Sequence, residues 1–434
     1  MPEIIHTFPK AILHVDGDCF FASCEVARRP ELKGRPVVTG LERGIVSSLT
    51  YEAKALGIRR PMPLWEMRKI CPEVVCLPSD YETYSLYSLR MFNIVRRFTP
   101  SVEEYSIDEC FADLTGLRRP SGMSYEKMAE RIKESLDGEL GFTFSVGLAP
   151  TKVLAKVASK WKKPSGLTFI RGCDIDDYLK QLPIGKVWGI GPQTDAYLNK
   201  LGVATALDFV RKDEYWVRRN LTKPHFEIWK ELKGESVNGI DPKKKNAFQS
   251  LSKTKTFTPP SREREYIFSQ LSKNVENACI KLRRYRLASK NVFFFLKTQD
   301  FRYRGLEIRL ENPTDNPIEI LRVIEGQFDE VFDARLLFRA SGVVLADIRE
   351  NSSRQADLFG AVSKAERISK IFASADDISK RYGKHSLFLG SSFLAMNGDT
   401  HIGLRQETAE RKKILFKGES KRKRLGIPFL GEAI

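Results

Sequence analysis

Two acidic clusters are the first places in this sequence where side chains could do chemistry. Asp108-Glu109 follows Glu103-Glu104-Tyr105-Ser106-Ile107, with Ser106-Ile107 reading as the end of one short strand and 110–114 as the next. Asp108-Glu109 would then be the tight turn between them. Hairpin turns favour residues that tolerate positive φ, such as Asn-Gly or Asp-Gly. Two adjacent carboxylates there repel one another unless a cation lies between them. The apolar run 11–15 ends in a second cluster, Asp16-Gly17-Asp18. If these strands are neighbours, Asp16, Asp108 and Glu109 converge at one edge. Three hard oxygen ligands suit Mg²⁺, which keeps some waters and takes the rest of its shell from substrate phosphates. The bland alternative is a solvated acidic pair.

The elements that would position these acids alternate in type. A strand is expected at 12–15 and a helix at 20–28. A long helix over 81–98 carries Tyr84, Tyr87, Met91, Ile94, Val95 and Phe98 near helical spacing. The acidic hairpin comes next, then a helix at 125–136, a strand at 142–148 and a helix from Thr151 with Val153, Leu154, Val157, Ala158 and Trp161 on one face. Residues 171–237 read as short helices centred on Val187-Trp188-Gly189-Ile190-Gly191 and a helix at 194–201. Glycines at such a helix start let backbone N–H groups approach a phosphate, so Gly189 and Gly191 are DNA-contact candidates. The tether 238–247 holds Lys243, Lys244 and Lys245, suited to a place close to phosphates. From 248 the order is strand, helix, strand, strand, helix, strand, a known β-α-β-β-α-β unit. Lys253, Lys255, Lys297, Arg302, Arg304 and Arg309 fall on or beside its strands.

Bulk properties agree. The chain has 434 residues, enough for two to four domains. Its net charge of +17 favours a polyanionic partner. Seven scattered cysteines without CxxC spacing or His partners argue against zinc and for a reduced, cytoplasmic protein. No run is long enough to span a membrane, and no signal peptide is expected.

The segments Val15-Asp16-Gly17-Asp18-Cys19-Phe20-Phe21-Ala22-Ser23-Cys24-Glu25, Tyr51-Glu52-Ala53-Lys54 and Ser106-Ile107-Asp108-Glu109, in this order and spacing, resemble the Y-family of DNA polymerases. These are the translesion enzymes that include bacterial polymerase IV and the catalytic subunit of polymerase V. The resemblance implies an α+β, multidomain right hand: a ferredoxin-like palm over 11–170 with fingers inserted at about 31–78, a helix-hairpin-helix thumb over 171–237, the basic linker, a little finger over 248–350, and a C-terminal extension over 351–434. It implies template-directed, error-prone DNA synthesis without proofreading in the SOS response to damage, using two Mg²⁺ ions, primer-template DNA and deoxynucleoside triphosphates. Asp16 and Asp108 would bridge the metals, Glu109 would complete one metal site, and the Gly17 carbonyl could serve the other. Ser48, Tyr51, Lys54 and Lys163 match triphosphate-binding positions. The commonest family pattern has Arg where this chain has Lys54, and lysine lacks the bidentate geometry. Phe21 matches the steric gate that excludes a 2′-hydroxyl.

Past the last strand, Gln355-Ala356-Asp357-Leu358-Phe359 resembles a sliding-clamp-binding pentapeptide, with Gln355, Leu358 and Phe359 as the contacts. The tail, with Lys421-Arg422-Lys423-Arg424, resembles that of polymerase V catalytic subunits, so accessory subunits of that type are possible partners. Two rival readings are a metal-free scaffold member of the family and a nucleotide cyclase. The three acids count against the first. The helix-hairpin-helix, the second basic domain and the charge count against the second.

Overall fold

The structure is a computed structural model that describes residues 8–242, 248–351, 361–382 and 386–397. Lys243, Lys244, Lys245, Gln355, Leu358 and Phe359 lie outside the described residues, as does the basic tail. The chain forms two compact units, one holding the described residues up to 242 and the other those from 248 to 397.

In the first unit, β1 (Ile12–Gly17) is buried along its whole length, with His14 and Asp16 among its apolar residues. Helix α1 (Phe20–Arg28) follows after a two-residue turn. A small sheet comes next, with β2 (Val37–Thr39), β3 (Ser48–Leu49) and β4 (Val75–Leu77) in the order β3-β2-β4. Helices α2 (Tyr51–Ala55) and α3 (Leu64–Ile70) lie between its strands. Val38, Val46, Leu49, Met62 and Met67 give this insertion its own core. Helix α4 (Tyr81–Arg96) starts at Asp80, whose side chain accepts from the Thr83 N–H at 3.2 Å, the usual role of an acidic residue at a helix start.

The chain then returns to β1 through β5 (Val102–Glu104), β6 (Glu109–Asp113), α5 (Arg118–Ser121), α6 (Tyr125–Leu140), β7 (Phe144–Ala149), α7 (Lys152–Trp161) and β8 (Leu167–Phe169). The main sheet has the order β5-β6-β1-β7-β8. Its first four strands, read as a β-α-β-β-α-β unit, are antiparallel, and β8 adds in parallel. Side chains alternate across β1. Leu13 and Val15 enter the core made with α4 and α6, whereas Ile12 enters the core made with α7. His14 and Asp16 therefore share the α7 side.

Helices α8 (Ile175–Gln181), α9 (Pro192–Lys200), α10 (Ala206–Val210), α11 (Glu214–Asn220) and α12 (Lys223–Leu232) share a core with α7. The second unit runs β9 (Ser250–Ser261), α13 (Arg264–Arg284), β10 (Leu287–Thr298), β11 (Tyr303–Thr314), α14 (Pro317–Val331) and β12 (Phe338–Glu350), with sheet order β11-β10-β12-β9. After it come α15 (Ala361–Tyr382) and α16 (Phe393–Asn397).

Two sequence expectations need correcting. The strand before the acidic pair ends at Glu104, and the turn is 105–108; Glu109 is the first residue of β6, not a turn residue. For the second unit the sequence pattern predicts strands at 248–257, 291–298, 306–310 and 341–348, whereas β10, β11 and β12 run longer, because each continues past its apolar centre into polar residues that pair with a neighbour.

Candidate active site

Antiparallel pairing sets Asp16 of β1 directly opposite Glu109 of β6. The Gly17 N–H donates to the Asp108 carbonyl at 2.9 Å, closing the end of the ladder. Thus Asp16, Gly17, Asp108 and Glu109 meet at one end of two central strands. Gly17 is suited to the spot, since a Cβ there would lie 2.6 Å from the Phe20 ring.

Each acid already has a partner. Lys163 Nζ lies 2.5 Å from Asp16 Oδ1, and Lys156 Nζ of α7 lies 2.5 Å from Glu109 Oε2. The same Glu109 oxygen is 3.2 Å from His14 Nε2, while His14 Nδ1 meets Ser159 Oγ at 2.7 Å. The Ser106 hydroxyl donates to Asp108. Burial raises the pKa of Asp16, against the opposing pull of Lys163. Burial also works against the charge on Glu109, yet His14 and Lys156 outweigh it and bring its pKa down to about 2. Burial lowers His14 to about 4, so its ring is neutral at pH 7. Among the described residues, no three or more His, Cys, Asp or Glu side chains are drawn close enough to hold an ion. The donor chemistry nevertheless suits a hard cation: the acids supply oxygen only, and ammonium groups lie against two of them.

Asp18 has a different environment. It is buried and accepts from Ser145 Oγ at 2.9 Å, Thr143 Oγ1 at 3.0 Å and the Ser165 N–H at 2.7 Å. These bonds tie the turn after β1 to β7 and the loop before β8.

The insertion reaches the same end of the sheet. Ser48 Oγ donates to the Cys19 carbonyl at 3.3 Å and accepts from the Ala22 N–H at 3.4 Å. The Tyr51 hydroxyl approaches Asp18 Oδ1 at 3.5 Å, and Lys54 Nζ stands 4.1 Å above the Tyr51 ring. Ser48, Tyr51, Lys54 and Lys163 are all linked to 16–22 through these contacts. Phe21 is stacked on Tyr84 at 4.6 Å and 14°, with Tyr81 edge-on at 5.5 Å.

Gly189 and Gly191 are exposed at the entry to α9. Gly189 has φ 89°, and a Cβ there would lie 2.5 Å from Ile228 Cδ1. Gly191 caps α9 with no side-chain hydrogen bond.

Sequence reasoning missed His14, Lys152 and Lys156. Lys152 and Lys156 are buried, and Lys152 grips Glu103 at 2.8 and 2.9 Å. A signal was present: Lys152, Lys156 and Lys160 recur every four residues on an otherwise apolar helix, and His14 alternates with Asp16 on a strand.

Comparison with known proteins gives the class. Residues 15–160 match the model of the impB/mucB/samB family, 172–203 its HHH motif, and 248–358 its C-terminal domain. The chain is 31% identical over 400 residues to DNA polymerase IV of Bacillus anthracis, covering 91% of this chain and 96% of the relative. It is 30% identical to DNA polymerase IV 1 of Bacillus subtilis (strain 168), covering 88% and 93%. A solved chimera of the Y-family polymerases Dbh and Dpo4 superposes with TM-score 0.68 at 24% identity, covering 79% of this chain and all of that one. An insertion ternary complex of Dbh DNA polymerase gives 0.53 at 25%, with the same coverage. The chain belongs to the Y-family of translesion DNA polymerases. Its activity is that of a DNA-directed DNA polymerase on an α+β fold with a little-finger domain, acting on primer-template DNA and deoxynucleoside triphosphates.

Proposed function

We propose that the end of β1 and β6 is the nucleotidyl-transfer site of an error-prone polymerase that works in the SOS response without proofreading. The observation that supports this is the register of Asp16 against Glu109, with Asp108 and Gly17 joined at the same strand ends. Asp16, Asp108 and Glu109, with the Gly17 carbonyl, would hold two Mg²⁺ ions. Bound there, the ions stabilise charge developing on the attacking and leaving oxygens. His14 and Lys156 keep Glu109 ionised and fixed in orientation. Lys54 and Lys163 offer ammonium groups, and Ser48 and Tyr51 offer hydroxyls, to the triphosphate. Phe21, held by Tyr81 and Tyr84, excludes a 2′-hydroxyl under the sugar. Gly189 and Gly191 present backbone N–H groups to a DNA phosphate, and Lys243, Lys244 and Lys245 add charge along the duplex. Gln355, Leu358 and Phe359 dock on the sliding clamp, with accessory subunits of polymerase V type as further partners of the tail.

Primer extension tests the site. Asp16→Asn and Asp108→Asn each lower extension by at least about 10²–10³-fold, the scale of removing one principal electrostatic stabiliser of a transition state. DNA affinity is held, because phosphate contacts elsewhere dominate it. Chelation stops wild-type extension and added Mg²⁺ restores it. Near wild-type extension by Asp108→Asn removes that residue from the site. For the clamp, Leu358→Ala with Phe359→Ala removes pull-down and processivity but keeps unassisted single-nucleotide insertion; equal clamp affinity in both proteins rules the motif out.

A further inference from the structure

Glu109 has two carboxylate oxygens, and every contact to them among the described residues falls on one. His14 Nε2 lies 3.2 Å from Oε2, and the Lys156 ammonium reaches the same atom. The other nitrogen of His14, Nδ1, lies 2.7 Å from Ser159 Oγ. Glu109, His14 and Ser159 thus form a row from β6 across β1 to α7.

The backbone allows that row. His14 is paired with Phe111 on β6 and with Gly147 on β7. A Cβ at Gly147 would lie 2.3 Å from the Ser159 nitrogen and 2.3 Å from the Ala155 carbonyl oxygen. A side chain there would push α7 off the sheet, and the Ser159 hydroxyl away from Nδ1 with it. The His14 ring also rests on Phe111, with centroids 4.5 Å apart.

The protons follow from what each atom can do. A carboxylate only accepts, so the nitrogen facing Glu109 carries a hydrogen. His14 is fully buried and shares its acceptor with an ammonium group. Both conditions disfavour a second charge on the ring. A neutral ring with its hydrogen on Nε2 has a bare Nδ1, which accepts. The buried Ser159 hydroxyl is the donor within reach. Its rival acceptor, the Lys156 carbonyl, is farther away at 3.1 Å. That carbonyl lies inside α7, where the helical ladder already supplies a donor.

We propose that Ser159 and His14 are positioning residues for Glu109. The Ser159 hydroxyl donates to Nδ1 and fixes the ring as its Nε2–H tautomer. The ring in turn keeps Oε2 occupied, so that Oε1 is the oxygen presented to a metal ion. This role rests on the reading of Glu109 as a metal ligand. Partners behind a ligand orient it, and losing one typically costs about 10–100-fold in metal affinity or activity.

Two measurements on the full chain test it. Long-range proton–nitrogen correlation NMR on protein with isotope-labelled histidines, at pH 7 and without metal, reads the tautomer; the signals that His14→Phe lacks belong to His14. A hydrogen on Nε2 and a bare Nδ1 are expected. A hydrogen on Nδ1 alone, or on both nitrogens, overturns the proposal whatever becomes of the metal site. The second measurement is single-nucleotide insertion over a Mg²⁺ series. His14→Phe keeps a ring on Phe111 but neither nitrogen, and Ser159→Ala removes only the hydroxyl. Each raises the Mg²⁺ concentration for half-maximal insertion by about 10–100-fold, with DNA affinity unchanged. The double variant is no worse than His14→Phe alone, because Ser159 acts through the ring. Ser159→Cys, with its weak S–H donor, falls between wild type and Ser159→Ala. Losses that add in the double variant, or a wild-type Mg²⁺ dependence in Ser159→Ala, overturn the role. Wild-type insertion that is indifferent to Mg²⁺ overturns the metal-site reading, and this role with it, even where the tautomer is the expected one.

Discussion

At the scale of single residues, the site is a set of acids held by bases. Glu109 is the best anchored, since two partners converge on one of its oxygens, while among the described residues Asp108 has the Ser106 hydroxyl beside its carboxylate. Phe21 is anchored in another way, by rings on two sides. A ring packed like that cannot turn aside to admit a larger sugar. Phe21→Ala raises the efficiency of ribonucleotide relative to deoxynucleotide insertion by about 10–200-fold, the scale of opening a small volume in a substrate pocket. Single-nucleotide insertion kinetics with paired sugars measure it, and an unchanged ratio makes Phe21 a support for Tyr84 only. The meeting of these acids was legible in the sequence because Asp-Glu is a poor choice for a bland turn and Asp16 closes an apolar run. Their bases were not. Lys156 looks like any surface lysine until α7 is laid across β1 and β6, and His14 looks like a core residue until cross-strand pairing brings Glu109 to it.

At the scale of elements, the chain uses one order of pieces twice and pairs them differently. In the first unit, the first strand lies between the third and fourth, whereas in the second unit the first strand is at an edge beside the fourth. Element order was readable from periodicity. Pairing was not, because it depends on which faces the helices cover. The segment after α15 shows the same limit, since small polar groups hold it beside the packing of Leu389 on the core. Ser392 donates to Glu276 of α13, the Leu389 N–H donates to the same carboxylate at 3.2 Å, and the Ala395 N–H donates to Ser269 Oγ at 2.9 Å. Glu276→Ala leaves a buried hydroxyl and an amide without their acceptor, at about 1–3 kcal/mol. Hydrogen exchange at Leu389 therefore speeds up by roughly 10–100-fold, and exchange at wild-type rate would show that Glu276 does not hold the segment. Burial raises the Glu276 pKa, against the hydrogen bonds it accepts. With the folded-state pKa above the unfolded one, the contribution of this group to folding is complete below the ordinary carboxylate range and is lost as pH rises through the elevated value.

At the scale of the whole molecule, the division of labour follows the division into units. Asp16, Asp108, Glu109, Ser48, Tyr51, Lys54 and Lys163 all belong to the first unit, with its own cores. Its last described stretch is secured to it: Glu103 accepts from the Asp241 N–H at 2.9 Å, and Lys152 reaches the Gly239 carbonyl at 3.4 Å. A chain ended after residue 242 keeps those bonds and every residue of the proposed site. It no longer carries Lys243, Lys244, Lys245 or the basic strands of the second unit. Such a chain inserts a single nucleotide when DNA is supplied in excess, but binds primer-template more weakly. The slope of log affinity against log salt becomes shallower by about 0.9 for each phosphate that the shortened chain leaves unneutralised. Anisotropy across a salt series and single-turnover insertion separate the two effects. A truncated chain that matches the full chain in affinity and slope would show that the second unit adds nothing to DNA binding, and one that fails to insert at any DNA concentration would show that the first unit does not contain the whole site.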